Sequence, residues 1–140
     1  PMLAERIGRQ YGNILKDEEW CQSVDFLVHV PLHITRLHQR GFNQSLSFAS
    51  GLAGMLEKPI AKDKLIRKVA TNTQTAKGRY ARLQNMLNAF ECVDASAFQG
   101  KHILLVDDVL TTGATIEACL TALQICEDVK LSFLTMAIAE

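Results

Sequence analysis

The stretch KHILLVDDVLTTGAT, Lys101–Thr115, decides how this 140-residue chain is read. Ile103, Leu104, Leu105 and Val106 are apolar at every position rather than every second one. That pattern marks a strand buried on both faces, as in a parallel sheet covered by helices. Two adjacent carboxylates, Asp107 and Asp108, follow, and the strand is expected to end there. A hydroxyl-rich turn with one glycine comes next, and then Ile116, Cys119, Leu120 and Leu123 share one face of a helix. In open parallel sheets ligands sit outside the carboxyl ends of the strands, so the acids and the turn are expected to face one.

The chemistry of the turn and of the acids differs. The first N–H groups of a helix have no partners inside it, and with the helix dipole they suit an anion such as phosphate. Gly113 lets the backbone come close, while Thr111, Thr112 and Thr115 add hydroxyl donors. Ionised carboxylates only accept hydrogen bonds, so Asp107 and Asp108 call for a ligand with hydroxyl donors, such as a ribose diol. Phosphate beside diol describes a sugar phosphate or nucleotide, and Mg2+ is an oxygen-seeking ion that the diol and the acids can share. The plain alternative is a turn followed by a threonine N-cap. The string is not the Gly-Lys-Thr phosphate loop, because no lysine follows Gly113.

Outward from this stretch, strands alternate with helices. Met2–Leu15 carries Leu3, Ile7, Tyr11 and Ile14 at helical spacing, and Asp17–Trp20 reads as a connection. VDFLVHVPL, Val24–Leu32, reads as a buried strand, HITRLHQRGFNQ as a basic irregular segment, and Phe42–Leu56 as a helix. Gly51 and Gly54 weaken that helix but allow close approach to a neighbour. Leu65–Val69 and Ala89–Val93 are short strand candidates, Arg79–Leu87 a short helix, and Val129–Ala139 a last strand. Ala70–Gly78 is polar and long for a connection, which marks it as functional or mobile. The fold class is therefore α/β, a mainly parallel, Rossmann-like sheet flanked by helices.

Composition fits one domain over residues 1–140, with 48% apolar and 21% charged residues. No apolar run approaches the ~20 residues of a membrane span, and no leader pattern is visible, so no membrane insertion and a cytoplasmic location are expected. Cys21, Cys92, Cys119 and Cys126 lack zinc-finger spacing and read as reduced core thiols. His29, His33 and His38 have no carboxylate or cysteine at ligand spacing. Net charge is zero, yet from His29 to Arg82 ten Lys or Arg face only Glu57 and Asp63. Such a basic third fits an anionic partner or a solvated face. His102 and Trp20 read as ordinary packing residues, and Arg67 and Lys68 as solvated or functional.

ILLVDDVLTTGAT resembles the phosphoribosyl pyrophosphate (PRPP) signature of the type I phosphoribosyltransferases. VPLHITRLHQRGFNQS, Val30–Ser45, and RYARLQNMLNAF, Arg79–Phe90, resemble the ComF branch, tied to competence for DNA uptake and related to amidophosphoribosyltransferases. Members commonly carry a cysteine-rich zinc segment upstream, which this sequence lacks, so a fragment of a longer protein is one expectation.

The resemblance implies roles. Asp107 and Asp108 would hold the ribose hydroxyls, Thr111, Thr112, Gly113, Ala114 and Thr115 would cradle the 5-phosphate, and Val109 and Leu110 would also belong to the substrate-binding set. Leu32, His33 and Arg36 would form the pyrophosphate loop, with Arg40 nearby. Ala70–Gly78 would close over the site, where Gln74 and Asn85 match the family pattern. Lys77, Arg79 and Arg82 would stabilise the leaving group, Arg79 and Arg82 together with the two acids being the catalytic set. The implied cofactor is Mg2+, carried by PRPP and shared with Asp107 and Asp108. The implied activity is phosphoribosyl transfer in nucleotide metabolism to an acceptor the sequence does not name. A homodimer and DNA-uptake proteins are expected among the partners. The rival expectations are a non-catalytic PRPP-sensing or DNA-uptake accessory module, and a domain with a vestigial site.

Overall fold

The computed structural model describes residues 1–32, 34–68 and 78–139. Along the chain run helices α1 (Met2–Leu15), α2 (Glu19–Gln22), α3 (Ile34–Arg40), α4 (Gln44–Leu56), α5 (Arg79–Leu87) and α6 (Ala114–Leu123). Interleaved are strands β1 (Phe26–His29), β2 (Leu65–Arg67), β3 (Phe90–Cys92), β4 (His102–Leu110) and β5 (Lys130–Ile138).

β4 is the central strand. It pairs in parallel with β1 from Phe26↔Ile103 to His29↔Val106, and with β5 from His102↔Lys130 to Leu110↔Ile138. Beside β1, Ile60 adds a single parallel rung opposite Leu27. β2 and β3 form a separate antiparallel pair. The α/β class with a mainly parallel sheet is thus the observed one.

Alternation along β4 builds two cores. Leu104 and Val106 join Leu27, Phe48, Ala49 and Leu52 under α1 and α4. Ile103 and Leu105 join Val28, Phe98, Ile116, Cys119 and Leu123 under α6 and the β2–β3 pair. All four of these β4 side chains are fully buried, at about 1.5–3 kcal/mol each. This two-sided burial is why the run is apolar throughout.

On the first face α1 lies directly against α4. A Cβ on Gly51 would collide with the Glu5 carbonyl, and one on Gly8 with the Phe48 carbonyl. Gly51 therefore permits the close approach expected of it, whereas a Cβ on Gly54 would meet nothing. The edge of α1 is fixed by Tyr11, whose hydroxyl donates to the Met136 carbonyl of β5 at 2.8 Å.

Three local expectations are corrected. The segment after Pro31 contains a helix, α3, rather than irregular chain throughout. Glu19–Gln22 is a helical turn rather than a plain connection. β4 runs two residues beyond Asp108, because β5 continues alongside it and pairs with Val109 and Leu110.

Candidate functional site

The carboxyl end of β4 sets the site. Its two acids are not equivalent. Asp107 is buried, only 8% exposed, while Asp108 is half-buried. Asp107 Oδ1 accepts two hydrogen bonds, from the Ser45 hydroxyl at 2.8 Å and from the Asp108 backbone N–H at 2.8 Å. Asp108 Oδ1 accepts the Val109 N–H at 2.8 Å. Burial pushes the Asp107 carboxyl up to about 6; the Ser45 and Asp108 N–H bonds oppose that rise, and neighbouring Asp108 adds to it. Asp107 is thus turned toward α4, and Oδ2 has no donor among the described residues.

Beyond the acids the chain turns at Gly113, whose φ of 85° lies in the left-handed region that glycine tolerates. α6 starts at Ala114. The Ala114 N–H is taken by Thr112 Oγ1 at 3.3 Å. Among the described residues no acceptor meets the N–H groups of Thr115 and Ile116. Thr111 and Thr112 are exposed. Two free N–H groups, the helix dipole and three hydroxyls make a cradle of donors suited to a small oxyanion.

At the neighbouring strand end, β1 leads through Val30 and Pro31 to Leu32, which is half-buried. Asn43 caps α4: its Oδ1 accepts the Leu46 N–H at 3.2 Å, and its Nδ2 donates to the Val30 carbonyl at 3.2 Å. Asn43 Nδ2 also approaches His29 Nδ1 at 3.3 Å. Burial lowers the His29 pKa. Neither Asn43 nor Ser45 was singled out from the sequence as a site residue, although both are buried here, at 9% and 4% exposure. A signal existed: an asparagine directly before a helical run is an N-cap pattern.

Of the other residues expected here, Arg40 ends α3 and is exposed. Arg79 and Arg82 are exposed on α5, which packs against α6. Among the described residues none of these three forms an ion pair. Asn85 lies exposed on the same helix. His33, Gln74, Lys77 and the stretch 70–77 lie outside the described residues, as does the side chain of Arg36.

The donor set bears on the ion question. Among the described residues no three His, Cys, Asp or Glu side chains gather as a metal group. Two adjacent carboxylates fit an ion that takes most of its ligands from phosphates and water, which is how Mg2+ is commonly held. The thiols belong to the core: burial and the nearby Asp107 charge push Cys119 up to about 12, and Cys92 and Cys126 sit sulfur to sulfur at 3.6 Å.

A parallel sheet with paired acids and a glycine-capped anion cradle at the end of its central strand is the architecture of a type I phosphoribosyltransferase. Residues 43–132 match the phosphoribosyl transferase domain, and the chain belongs to that family. Two solved structures share the fold. A hypoxanthine phosphoribosyltransferase from Staphylococcus aureus aligns over 94% of this chain and 61% of its own, with TM-score 0.54 and 18% identity. A purine phosphoribosyltransferase from Pyrococcus horikoshii Ot3 aligns over 95% of this chain and 72% of its own, with TM-score 0.53 and 13% identity.

The resemblance to the ComF branch is borne out by the sequence relatives. DNA utilization protein YhgH of Escherichia coli (strain K12) is 38% identical over 95 residues, 68% of this chain and 41% of its own. Competence protein F of Haemophilus influenzae is 35% identical over 91 residues, 64% of this chain and 40% of its own. The chain thus spans about two fifths of the length of these curated relatives. Among the described residues no helix is long and apolar enough to cross a membrane.

Proposed function

We propose that this chain binds Mg-PRPP and transfers its phosphoribosyl group to a nucleophilic acceptor with release of pyrophosphate. The observation that carries this reading is the order of groups at the end of β4: buried Asp107, half-buried Asp108, then the open N–H groups of α6 behind Gly113. In this reading Asp107 and Asp108 accept hydrogen bonds from the ribose hydroxyls, and residues 111–115 hold the 5-phosphate. Leu32, His33, Arg36 and Arg40 receive the pyrophosphate. In the same reading Lys77, Arg79 and Arg82 stabilise the leaving group, and Gln74 is a further substrate-binding residue.

Breaking the anomeric bond places positive charge on the ribose and negative charge on the departing pyrophosphate. The basic bias between His29 and Arg82 supports the second half of that task. The acids sit beside the ribose, where negative charge favours the developing cation. Bound Mg2+ neutralises pyrophosphate charge. Asp108, the more exposed acid, is a candidate to take a proton from an acceptor that needs a base. The reading includes a single domain over residues 1–140, a cytoplasmic setting and a homodimer.

The names of the relatives favour a second reading, a non-catalytic PRPP-sensing or DNA-uptake accessory module that partners DNA-uptake proteins. Calorimetry with Mg-PRPP, followed by a pyrophosphate-release assay with a panel of bases and amines, separates the two. Binding with release supports the transferase, and binding without release for any acceptor supports the module. No binding at millimolar Mg-PRPP would sink the transferase and the PRPP sensor and leave only the DNA-uptake accessory role.

A further inference from the structure

The first turn of α4 touches both strand ends of the site without belonging to either loop. Ser45 gives its hydroxyl proton to Asp107 Oδ1 at 2.8 Å, across 62 residues of sequence. The Asp108 N–H reaches the same oxygen. Two donors on one oxygen fix the rotation of the carboxyl group, which leaves Oδ2 as the free acceptor. Ser45 is itself held. It is 4% exposed and sits two residues beyond Asn43, which grips Leu46 N–H on one side and the Val30 carbonyl on the other. Asn43 and Ser45 thus link β1, α4 and β4 through buried hydrogen bonds.

We propose that Ser45 is the positioning residue for Asp107, and that the Asn43–Ser45 turn is a brace setting the separation between the diol-binding acid and the turn after β1. This rests on the PRPP reading and deepens it. A ligand that engages Asp107 needs the brace. A ligand that engages only the threonine turn, or only the turn after β1, does not. Ribose 5-phosphate and Mg-PRPP fall in the first class. Inorganic phosphate and pyrophosphate fall in the second.

Calorimetry with these four ligands tests the proposal on wild-type protein and on Ser45→Ala, Ser45→Thr, Asp107→Asn and the Ser45→Ala/Asp107→Asn double variant. Ser50→Ala serves as control, since Ser50 lies exposed on the same helix and, among the described residues, bonds only to the Leu46 carbonyl. Ser45→Ala is expected to weaken ribose 5-phosphate and Mg-PRPP by about tenfold, the scale of one lost charge-assisted hydrogen bond. Phosphate and pyrophosphate stay within about twofold, because neither engages Asp107. Ser45→Thr, which keeps the hydroxyl, is expected to retain most of the affinity. The double variant is expected to bind as Asp107→Asn alone does, because the two residues act as one unit.

Wild-type protein that binds neither sugar ligand removes the PRPP reading and this inference with it. Wild-type protein that binds both, with Ser45→Ala unchanged, overturns only the inference. So do additive effects in the double variant. Equal losses for all four ligands with a lowered melting temperature would make Ser45 a packing residue instead.

Discussion

The two ends of β4 each bury one ionisable side chain, and they treat it in opposite ways. At the amino end His102 is 4% exposed and fully partnered. Ser23 already donates its proton to the Trp20 carbonyl, so His102 Nδ1, 2.8 Å from Ser23 Oγ, must be the donor there. Burial favours the neutral ring, in which Nε2 accepts from Ser132 at 2.8 Å. The His102 backbone N–H is met by Asp25. At the carboxyl end Asp107 is 8% exposed, yet among the described residues one of its oxygens and the N–H groups of Thr115 and Ile116 meet no protein partner. A closed polar network stabilises the fold. An open one at a strand's carboxyl end has a cost that a ligand can offset.

The largest expected effect comes from opening the closed end. His102→Leu removes the acceptor of Ser132 and is expected to cost roughly 2–3 kcal/mol, a fall of several degrees in Tm by thermal melting. Affinity of the folded protein for Mg-PRPP should be unchanged. A large affinity loss would mean that the two ends are coupled.

Asp107→Asn should act in the opposite direction. The amide oxygen still accepts from Ser45 and Asp108, but no charge is buried. At pH 7–8 a gain of roughly 1–3 kcal/mol is expected, with Mg-PRPP binding weakened about 10- to 100-fold. A destabilised Asp107→Asn protein would break the comparison.

The pH dependence sharpens it further. The Asp107 carboxyl is raised to about 6 in the fold. Its contribution to stability is full below its ordinary range near pH 4 and is lost as pH rises through about 6. Burial, with Lys130 adding to it and Asp25 opposing, lowers His102. Its contribution is present above the usual histidine range and is lost as pH falls. Urea titrations from pH 4 to 8 should therefore show Asp107→Asn flattening the decline between about 4 and 6. His102→Leu should flatten the rise on the acid side. Matching profiles for the two variants would refute the assignment.

The smallest effects belong to the exposed part of the site. Asp108→Asn should change stability by no more than about 0.5 kcal/mol, as surface substitutions do. It should still weaken Mg-PRPP measurably by calorimetry.

Much of this contrast was legible in the sequence at one end only. The run Ile103–Val106 is a strand buried on both faces and a helix does follow Gly113, as their local order along the chain implies. His102 passed as ordinary because its partners come from Ser23 and Ser132, 79 and 30 residues away. Ser45 was missed for the same reason. A serine in a helical run carries no local sign that a carboxylate lies against it. The end of β4 was set too early because paired acids look like a stop, whereas the neighbouring strand carries the ladder on to Leu110. α3 was missed because HITRLHQR has too weak an apolar stripe to mark a helix.

The pairing of β1 with β4 has a consequence in time. Phe26 meets Ile103, and 103 − 26 gives 77 positions between partners. At roughly 5–20 residues per second on a ribosome, β1 waits about 4–15 s for its partner to be made. Val28, fully buried in the finished sheet against Ile103, Leu105 and Ile116, is without that cover throughout the interval. The β4–α6–β5 unit, by contrast, is complete within 28 further positions and assembles from neighbours. Nascent chains stalled between residues 60 and 100 are therefore the stage at which a chaperone has apolar surface to hold.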